Sequence, residues 1–593
     1  MPDPSELPWA RIYPASVDWN APLPSQPLYR ILDNAVRDYP DNVALDFLDK
    51  FYTYRELGDL VARAAKGLQD LGVVKGDRVG MFLPNTPYYV ALYFAALKLG
   101  AIVVNFNPLY AEKEIEKQIN DSGCKVMATV DVPSVYDTLV KMQGTTCLEK
   151  IIVGRMTDIL PPVKSALYRL AKRREIARPV YGEQIIDFRT LTANDGNYKP
   201  AEINPENDLA VLQYTGGTTG PSKGAMLTHA NLSANTEQSR LLLPGAVMGQ
   251  ETMLGVLPFF HVFAMTAVMN VSISLGGRII MLPRFDLEQA IKTIHKKRPT
   301  LFPAVPAIYN AINHYKDLGR YNLRSVRFCI SGGAPLPVAV KKQFETLTGC
   351  VVVEGYGLSE TSPVATCNPV DGENRAGSIG LPVPGTHIEI VDPETRELLR
   401  LGAIGEICIR GPQVMKGYWN NPQETARVME TTPRGERLRT GDLGHMDPDG
   451  YVYVDDRMKD MIAVNGFKVY PSHVEEEIYR HPAVEECGVI GIPDESRGET
   501  VVACIRLRDG QSLTAGALRE FLQDTLARWA MPKPEHILFW DQPLPKTTIG
   551  KLSRKDLRTM VAARLEAEQE SRQNAAGRQE RGRAAAAAFH PQP

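Results

Sequence analysis

The spacing of apolar and polar positions changes period several times along the chain, and each change marks an element. Leu60, Val61, Ala64, Leu68 and Leu71 recur at intervals of three and four, which predicts an amphipathic helix over residues 55–71 with one buried face. Residues 28–36 predict a short helix before it. Apolar runs at 77–83 and 101–106 predict buried strands, and 87–99 between them predicts a helix. Strand, helix and strand in succession predict a parallel α/β layer. The pattern resumes with a strand at 209–213 and a helix over 228–243. Further on, 351–353, 387–391 and 404–410 read as strands, the last two forming a β-rich subdomain. Asp449-Gly450 is a hairpin turn ahead of another strand at 451–454.

Beyond Arg457 the elements become shorter. Strands at 461–464, 486–492 and 500–507 are interleaved with helices at 471–479 and 513–526. Pro471 and the glutamates after it suit the first turns of a helix. A chain of 593 residues is too long for one core. The expected fold class is therefore α/β. A large N-terminal domain over 1–456 would combine parallel α/β layers with the β-rich subdomain. A small α+β domain would follow over 457–563. The tail 564–593, with its alanine run at 584–588, reads as a helix extension fraying into disorder.

Composition narrows the function classes. An apolar fraction of 44% and a net charge of −2 are ordinary for a soluble enzyme and give no basic excess for nucleic acid. Eight cysteines form no C-x-x-C pair and no metal-ligand spacing, which suits reduced core residues in the cytoplasm. The start of the chain has no signal-peptide pattern. The longest apolar stretch, 262–275, carries Asn270, Ser272 and Ser274 and falls short of the roughly 18 to 20 residues of a membrane span.

An insertion over about 154–205 interrupts the alternation, and within it residues 162–178 are basic and amphipathic. Leu167, Leu170 and Ala171 are set among Lys164, Arg169, Lys172, Arg173 and Arg174. Two readings stay open: a peripheral foot on anionic lipid at the inner face of the membrane, or a solvated helix packed on its own protein.

The most distinctive polar stretch is Tyr214-Thr-Gly-Gly-Thr-Thr-Gly-Pro-Ser-Lys-Gly224. Glycines free backbone N–H groups to face an anion, hydroxyls add donors and a lysine adds charge, so the loop reads as a phosphate cradle between a strand and a helix. It is not a Walker A loop, because Lys223 is followed by Gly224 and not by Ser or Thr.

Further motifs follow in order: Phe259-Phe-His-Val-Phe263, Ser331-Gly-Gly-Ala-Pro335, Gly355-Tyr-Gly-Leu-Ser-Glu-Thr361, Arg439-Thr-Gly-Asp442, Asp456-Arg-Met-Lys-Asp460, Asn465-Gly-Phe-Lys468 and Pro545-Lys-Thr-Thr-Ile-Gly-Lys551. Together they resemble the adenylate-forming superfamily of acyl-CoA synthetases, luciferases and peptide-synthetase adenylation domains. The resemblance implies attack of a carboxylate on the α-phosphate of ATP, which forms acyl-AMP and expels pyrophosphate, followed by acyl transfer to coenzyme A. It assigns the β- and γ-phosphates to Thr215, Gly216, Gly217, Thr218, Thr219 and Lys223. Gly332, Gly333, Ala334, Gly355, Tyr356 and Gly357 would surround adenine, and Asp442 and Arg457 would hold the ribose. Glu360, with Thr215, would bind Mg²⁺, which favours one or two carboxylates plus phosphate oxygens. Thr361 would donate to the α-phosphate. Lys551 would stabilise the carboxylate and α-phosphate charge, and His261 would gate the acyl and thiol routes. Lys459 falls at the hinge of a mobile small domain, and Gly466 would line the CoA tunnel.

Val262, Phe263 and Val305, with Met265, Ile330 and Val364 nearby, suit an alkyl chain. Residues 100–110, 257–264 and 455–462 look most like bacterial long-chain fatty-acid–CoA ligases. A medium-chain or aryl acid–CoA ligase, or an acyl-AMP ligase loading a carrier protein, remain as alternatives. The expected partners are a fatty acid, ATP and CoA, with membrane contact through about 162–178 and a homodimer also admitted.

Overall fold

The computed structural model describes residues 7–215, 222–465, 467–494, 496–546 and 552–567. The chain divides into two compact units between Val454 and Asp455.

Among the described residues the large unit holds a seven-stranded sheet. Its order is Ile185–Asp187, Lys150–Gly154, Val126–Val130, Arg78–Met81, Ile102–Asn105, Leu209–Thr215 and Lys223–Thr228. All neighbours are parallel except the last pair, which is an antiparallel hairpin. A second layer runs through Lys50–Thr53, Val43–Phe47, Arg278–Met281 and Thr252–Gly255. It continues by bridges through Leu301 and Ala304 to Phe328–Ser331, Val351–Gly357, Val364–Cys367 and Leu381–Pro382. A third, antiparallel sheet is built on His387–Val391, Gly405–Arg410, Gly435–Met446 and Met429–Thr432, the β-rich part expected from the sequence.

The amphipathic helix is Tyr54–Asp70, started by a capping box between Thr53 and Glu56, and Val61, Ala64 and Leu68 on its inner face are buried. Helix Pro87–Lys98 is buried at every position. The apolar stretch 262–275 folds as a wide-turned helix, Ala264–Asn270, running into Val271–Ser274; all but Ser274 are buried. Among the described residues no helix is long and apolar enough to cross a membrane.

The small unit contains the sheet Phe467–Val469, Ile462–Val464, Gly498–Leu507 and Val484–Asp494, with Ile537–Phe539 beside Gly498–Leu507. Helices Pro471–Tyr479 and Ala515–Leu522 pack into its core through Val474, Ile478, Leu518 and Leu522. The second is shorter than the 513–526 expected. Its N-cap Thr514 accepts from Ala517 N and fixes the start after Leu513.

One expectation about the site is overturned here. The glycine-rich loop does not run from a strand into a helix. Thr215 pairs with Lys223 across a hairpin, and strand Lys223–Thr228 intervenes before helix His229–Leu241. That helix closes its own N-terminus: the Thr228 hydroxyl accepts from Asn231 N while the Asn231 side chain accepts from Thr228 N. Its first turn therefore has local partners, and the helix end is not the phosphate cradle that the strand–loop–helix reading implied.

Candidate active site

The two ends of the phosphate loop are set by the hairpin. Thr215 closes one strand, and its hydroxyl approaches Lys223 O at 3.5 Å. Lys223 opens the other, pairs with Glu424 and lies 5.2 Å above the Tyr418 ring. Gly216, Gly217, Thr218 and Thr219 lie outside the described residues. Lys223, and then Arg427, hold the Glu424 carboxyl below its ordinary pKa.

Glu360 sits in the single turn Ser359–Thr361, and its Oε1 accepts from the Tyr418 hydroxyl at 2.7 Å. Among the described residues no three His, Cys, Asp or Glu side chains group as a metal cage. A carboxylate outside any such group suits a hard cation that keeps phosphate and water oxygens as its other ligands, so Mg²⁺ fits Glu360. The Thr361 hydroxyl is buried and donates to the main-chain oxygens of Leu358 and Pro363.

The motifs expected around adenine and ribose converge. Ser331 and Glu354 face each other on parallel strands, which brings loop 332–335 beside Gly355 and Tyr356. The Tyr356 hydroxyl donates to Asp442 Oδ2 at 2.7 Å, although the two are 86 residues apart. Gly357 admits no side chain, because a Cβ there would stand 1.9 Å from Pro363 O. A Cβ on Gly332 would come within 3.2 Å of the Phe263 ring, which puts one expected acyl-pocket residue against the expected adenine loop. Glu354 was not singled out in the sequence. Its Oε1 accepts from Leu336 N at 3.0 Å and ties the loop down, and burial raises its pKa to about 7.

His261 is half-buried. Desolvation lowers its pKa to about 4, so the ring is neutral through the physiological range. Its Nδ1 accepts from Phe263 N at 3.3 Å, which assigns the ring proton to Nε2. The segment carrying it is held by a buried polar network that sequence reading did not identify. Asn85 donates to Leu257 O and accepts from Phe259 N, both at 2.8 Å. Tyr89 OH bonds to Phe259 O and Asn105 Oδ1, each at 2.8 Å. Asn105 donates to Gln213 Oε1 at 2.9 Å, and Gln213 donates to Phe260 O at 3.1 Å. Gln213 lies two residues before Thr215, so the His261 segment and the strand end at Thr215 share one set of bonds.

Val262 and Val305 are buried in the core of the large unit. A small apolar pocket in the same unit is lined by Met253, Ala267, Val271, Leu301, Phe328 and Ile330 among others. Of the residues named from sequence for the alkyl chain, only Ile330 lines it.

In the small unit Arg457 ends strand Val452–Arg457, and Lys459 lies in the turn that follows. The next residue, Asp460, accepts from Arg558 at 3.3 Å, and Arg554 makes a two-pronged pair with Glu475 at 2.7 and 2.8 Å. Gly466 and Lys551 lie outside the described residues.

The family of AMP-binding enzymes matches residues 32–419, and its C-terminal domain matches 473–551. The chain is an AMP-binding enzyme. Among the relatives of this AMP-binding enzyme is the long-chain-fatty-acid–CoA ligase of Bacillus subtilis, 42% identical over 93% of this chain and 98% of that protein. The ligase of the same name from Escherichia coli O157:H7 is 36% identical over 94% of this chain and 99% of its own length. Among solved structures, ATP-bound MatB from Rhodopseudomonas palustris superposes with a TM-score of 0.78 at 29% identity, covering 90% of this chain and 98% of that one. The mixed α/β fold is thus that of adenylate-forming enzymes.

Proposed function

We propose that this AMP-binding enzyme activates a long-chain fatty acid with ATP and passes the acyl group to coenzyme A. The reading is carried by the two near-full-length relatives that bear this activity in their names. A carboxylate oxygen attacks the α-phosphate, the bond to the β-phosphate breaks, and acyl-AMP and pyrophosphate form. The CoA thiol then attacks the acyl carbon and AMP leaves.

Each assigned group meets charge that this chemistry concentrates in one place. Lys223 and Thr215 hold the terminal phosphates once the ammonium exchanges Glu424 for phosphate oxygens. Tyr356 offers adenine a flat apolar face, and Asp442 accepts from ribose hydroxyls. Glu360 would hold Mg²⁺, which would neutralise phosphate charge. Neutral His261 donates from Nε2 near the acyl carboxylate without adding a buried charge. Lys551 contributes to the first step, and Lys459 and Gly466 serve the second.

The experiment is pyrophosphate release across short- to long-chain acids, with and without CoA. Long-chain acids should give the highest kcat/KM, and thioester should appear only with CoA. Lys551→Ala should abolish pyrophosphate release while supplied acyl-AMP still reacts with CoA. A preference for short or aryl acids, or acyl-AMP that CoA does not consume, would replace this reading.

The insertion helix Pro162–Ala171 is read as a peripheral contact with anionic lipid. Val163, Leu167 and Leu170 share one face and are 72%, 58% and 81% exposed. Arg169, Lys172, Arg173 and Arg174 follow closely along the chain and are exposed as well. Lys164 ties the helix to Leu48 and Asp49 at a hairpin tip, near which Phe51 is 50% exposed. Exposed apolar groups beside exposed cations suit a bilayer of anionic headgroups.

A further inference from the structure

Segment Met415–Trp419 laces two parts of the candidate site together. Met415 N donates to Glu360 O at 2.8 Å. Lys416 N and Met226 O, and Met226 N and Gly417 O, form a pair of 2.9 Å bonds, and Trp419 N donates to Gly224 O at 2.8 Å. Tyr418 is thereby fixed opposite Ala225, on the strand that Lys223 begins. Its own N–H donates to Thr425 Oγ1 at 2.9 Å.

From that place one side chain serves two charges. The hydroxyl donates to Glu360 Oε1, and the ring face lies under the Lys223 ammonium. Tyr418 is 7% exposed, and a phenol holds its proton at neutral pH, so the hydroxyl is a donor to the carboxylate. A hydrogen bond to a carboxylate is stronger than one between neutral groups, and a cation over an aromatic face is attracted by the ring quadrupole.

We propose that Tyr418 is a positioning residue that fixes the Glu360 carboxylate and the Lys223 ammonium relative to each other, so that the cation and the terminal phosphates of ATP are bound as one unit. The proposal rests on the roles assigned above to Glu360 and Lys223. Nothing in the local sequence marks it, because Tyr418 meets Glu360 and Lys223 only through the fold.

The test separates hydroxyl from ring by isothermal titration of ATP into the full-length protein, with Mg²⁺ and with EDTA. In wild type Mg²⁺ should tighten ATP binding. Tyr418→Phe keeps the ring, so affinity in EDTA should be unchanged while the gain from Mg²⁺ falls by about tenfold or more, the size expected for a hydrogen bond to a charged group. Tyr418→Leu should weaken binding in EDTA as well. A purely structural role would instead lower both affinities together along with the melting temperature. Tyr418→Phe that keeps the full Mg²⁺ gain overturns the proposal and leaves the role of Glu360 standing. Wild type that ignores Mg²⁺ overturns the role of Glu360 and this inference with it.

Discussion

Helices Pro87–Lys98 and Pro162–Ala171 belong to the same unit and both begin on proline, yet they stand at opposite limits of burial. Every position of the first is buried, whereas only Ser165 of the second is. Apolar content is part of the contrast, since the first helix carries one charge, Lys98, and the second carries Lys164 and Arg169 in a shorter span. The first also has polar company. Tyr88 OH reaches Arg155 O at 2.8 Å, Tyr89 OH reaches Asn105 and Phe259, and Lys98 pairs with Asp33. A helix can be enclosed on all sides only if its polar tips find partners inside. The second helix keeps its cations in water, and its leucines stay out with them.

The comparison is broken most severely from the inside. Tyr89→Ala should destabilise the large unit by about 3–5 kcal/mol in a denaturant titration, because a fully buried aromatic is removed and its bonding partners are stranded. It should also lower adenylation at temperatures where the protein stays folded, since the His261 segment loses an anchor. A loss below about 1 kcal/mol would mean that this interior repacks freely.

Next in size is a pH effect from an enclosed group. His229 is fully buried, accepts from Leu28 N at 3.1 Å, and is held by desolvation at a pKa of about 4. The unfolded chain takes up that proton below about pH 6.5 and the native chain does not. Stability is therefore complete above pH 6.5 and declines as pH falls towards 4, by at most about 3 kcal/mol for this group. His229→Asn should give a shallower decline between pH 6.5 and 4 than wild type, and parallel profiles would refute the assignment.

The smallest effect on folding is expected outside. Leu167→Ser with Leu170→Ser should leave stability within about 0.5 kcal/mol of wild type. The same double variant should sediment several-fold less with anionic vesicles and unchanged with neutral ones. Undiminished sedimentation would assign the lipid contact elsewhere.

Much of the interior was legible because its pattern is local. The inner face of helix Tyr54–Asp70 repeats within a few residues, and strands Arg78–Met81 and Ile102–Asn105 are short apolar runs. Strand Lys223–Thr228 was missed because half of what holds it is distant. It pairs with the hairpin strand Leu209–Thr215 on one side and is bonded to Lys416, Gly417 and Trp419, far along the chain, on the other. Candidate nucleotide residues such as Tyr356 and Asp442 could be named from motifs, while their mutual bond and the contact of Tyr418 with Glu360 could not, because long-range pairings leave no trace in spacing. The solvent-facing leucines of the insertion were read as one face of a helix, and whether that face was covered depended on neighbours the sequence does not name.

The hairpin at Thr215 and Lys223 has a practical corollary. Its rungs fix where the loop departs and where it returns, independently of the helix that follows. A change in helix His229–Leu241 that leaves those rungs intact should therefore leave Thr215 and Lys223 where they are.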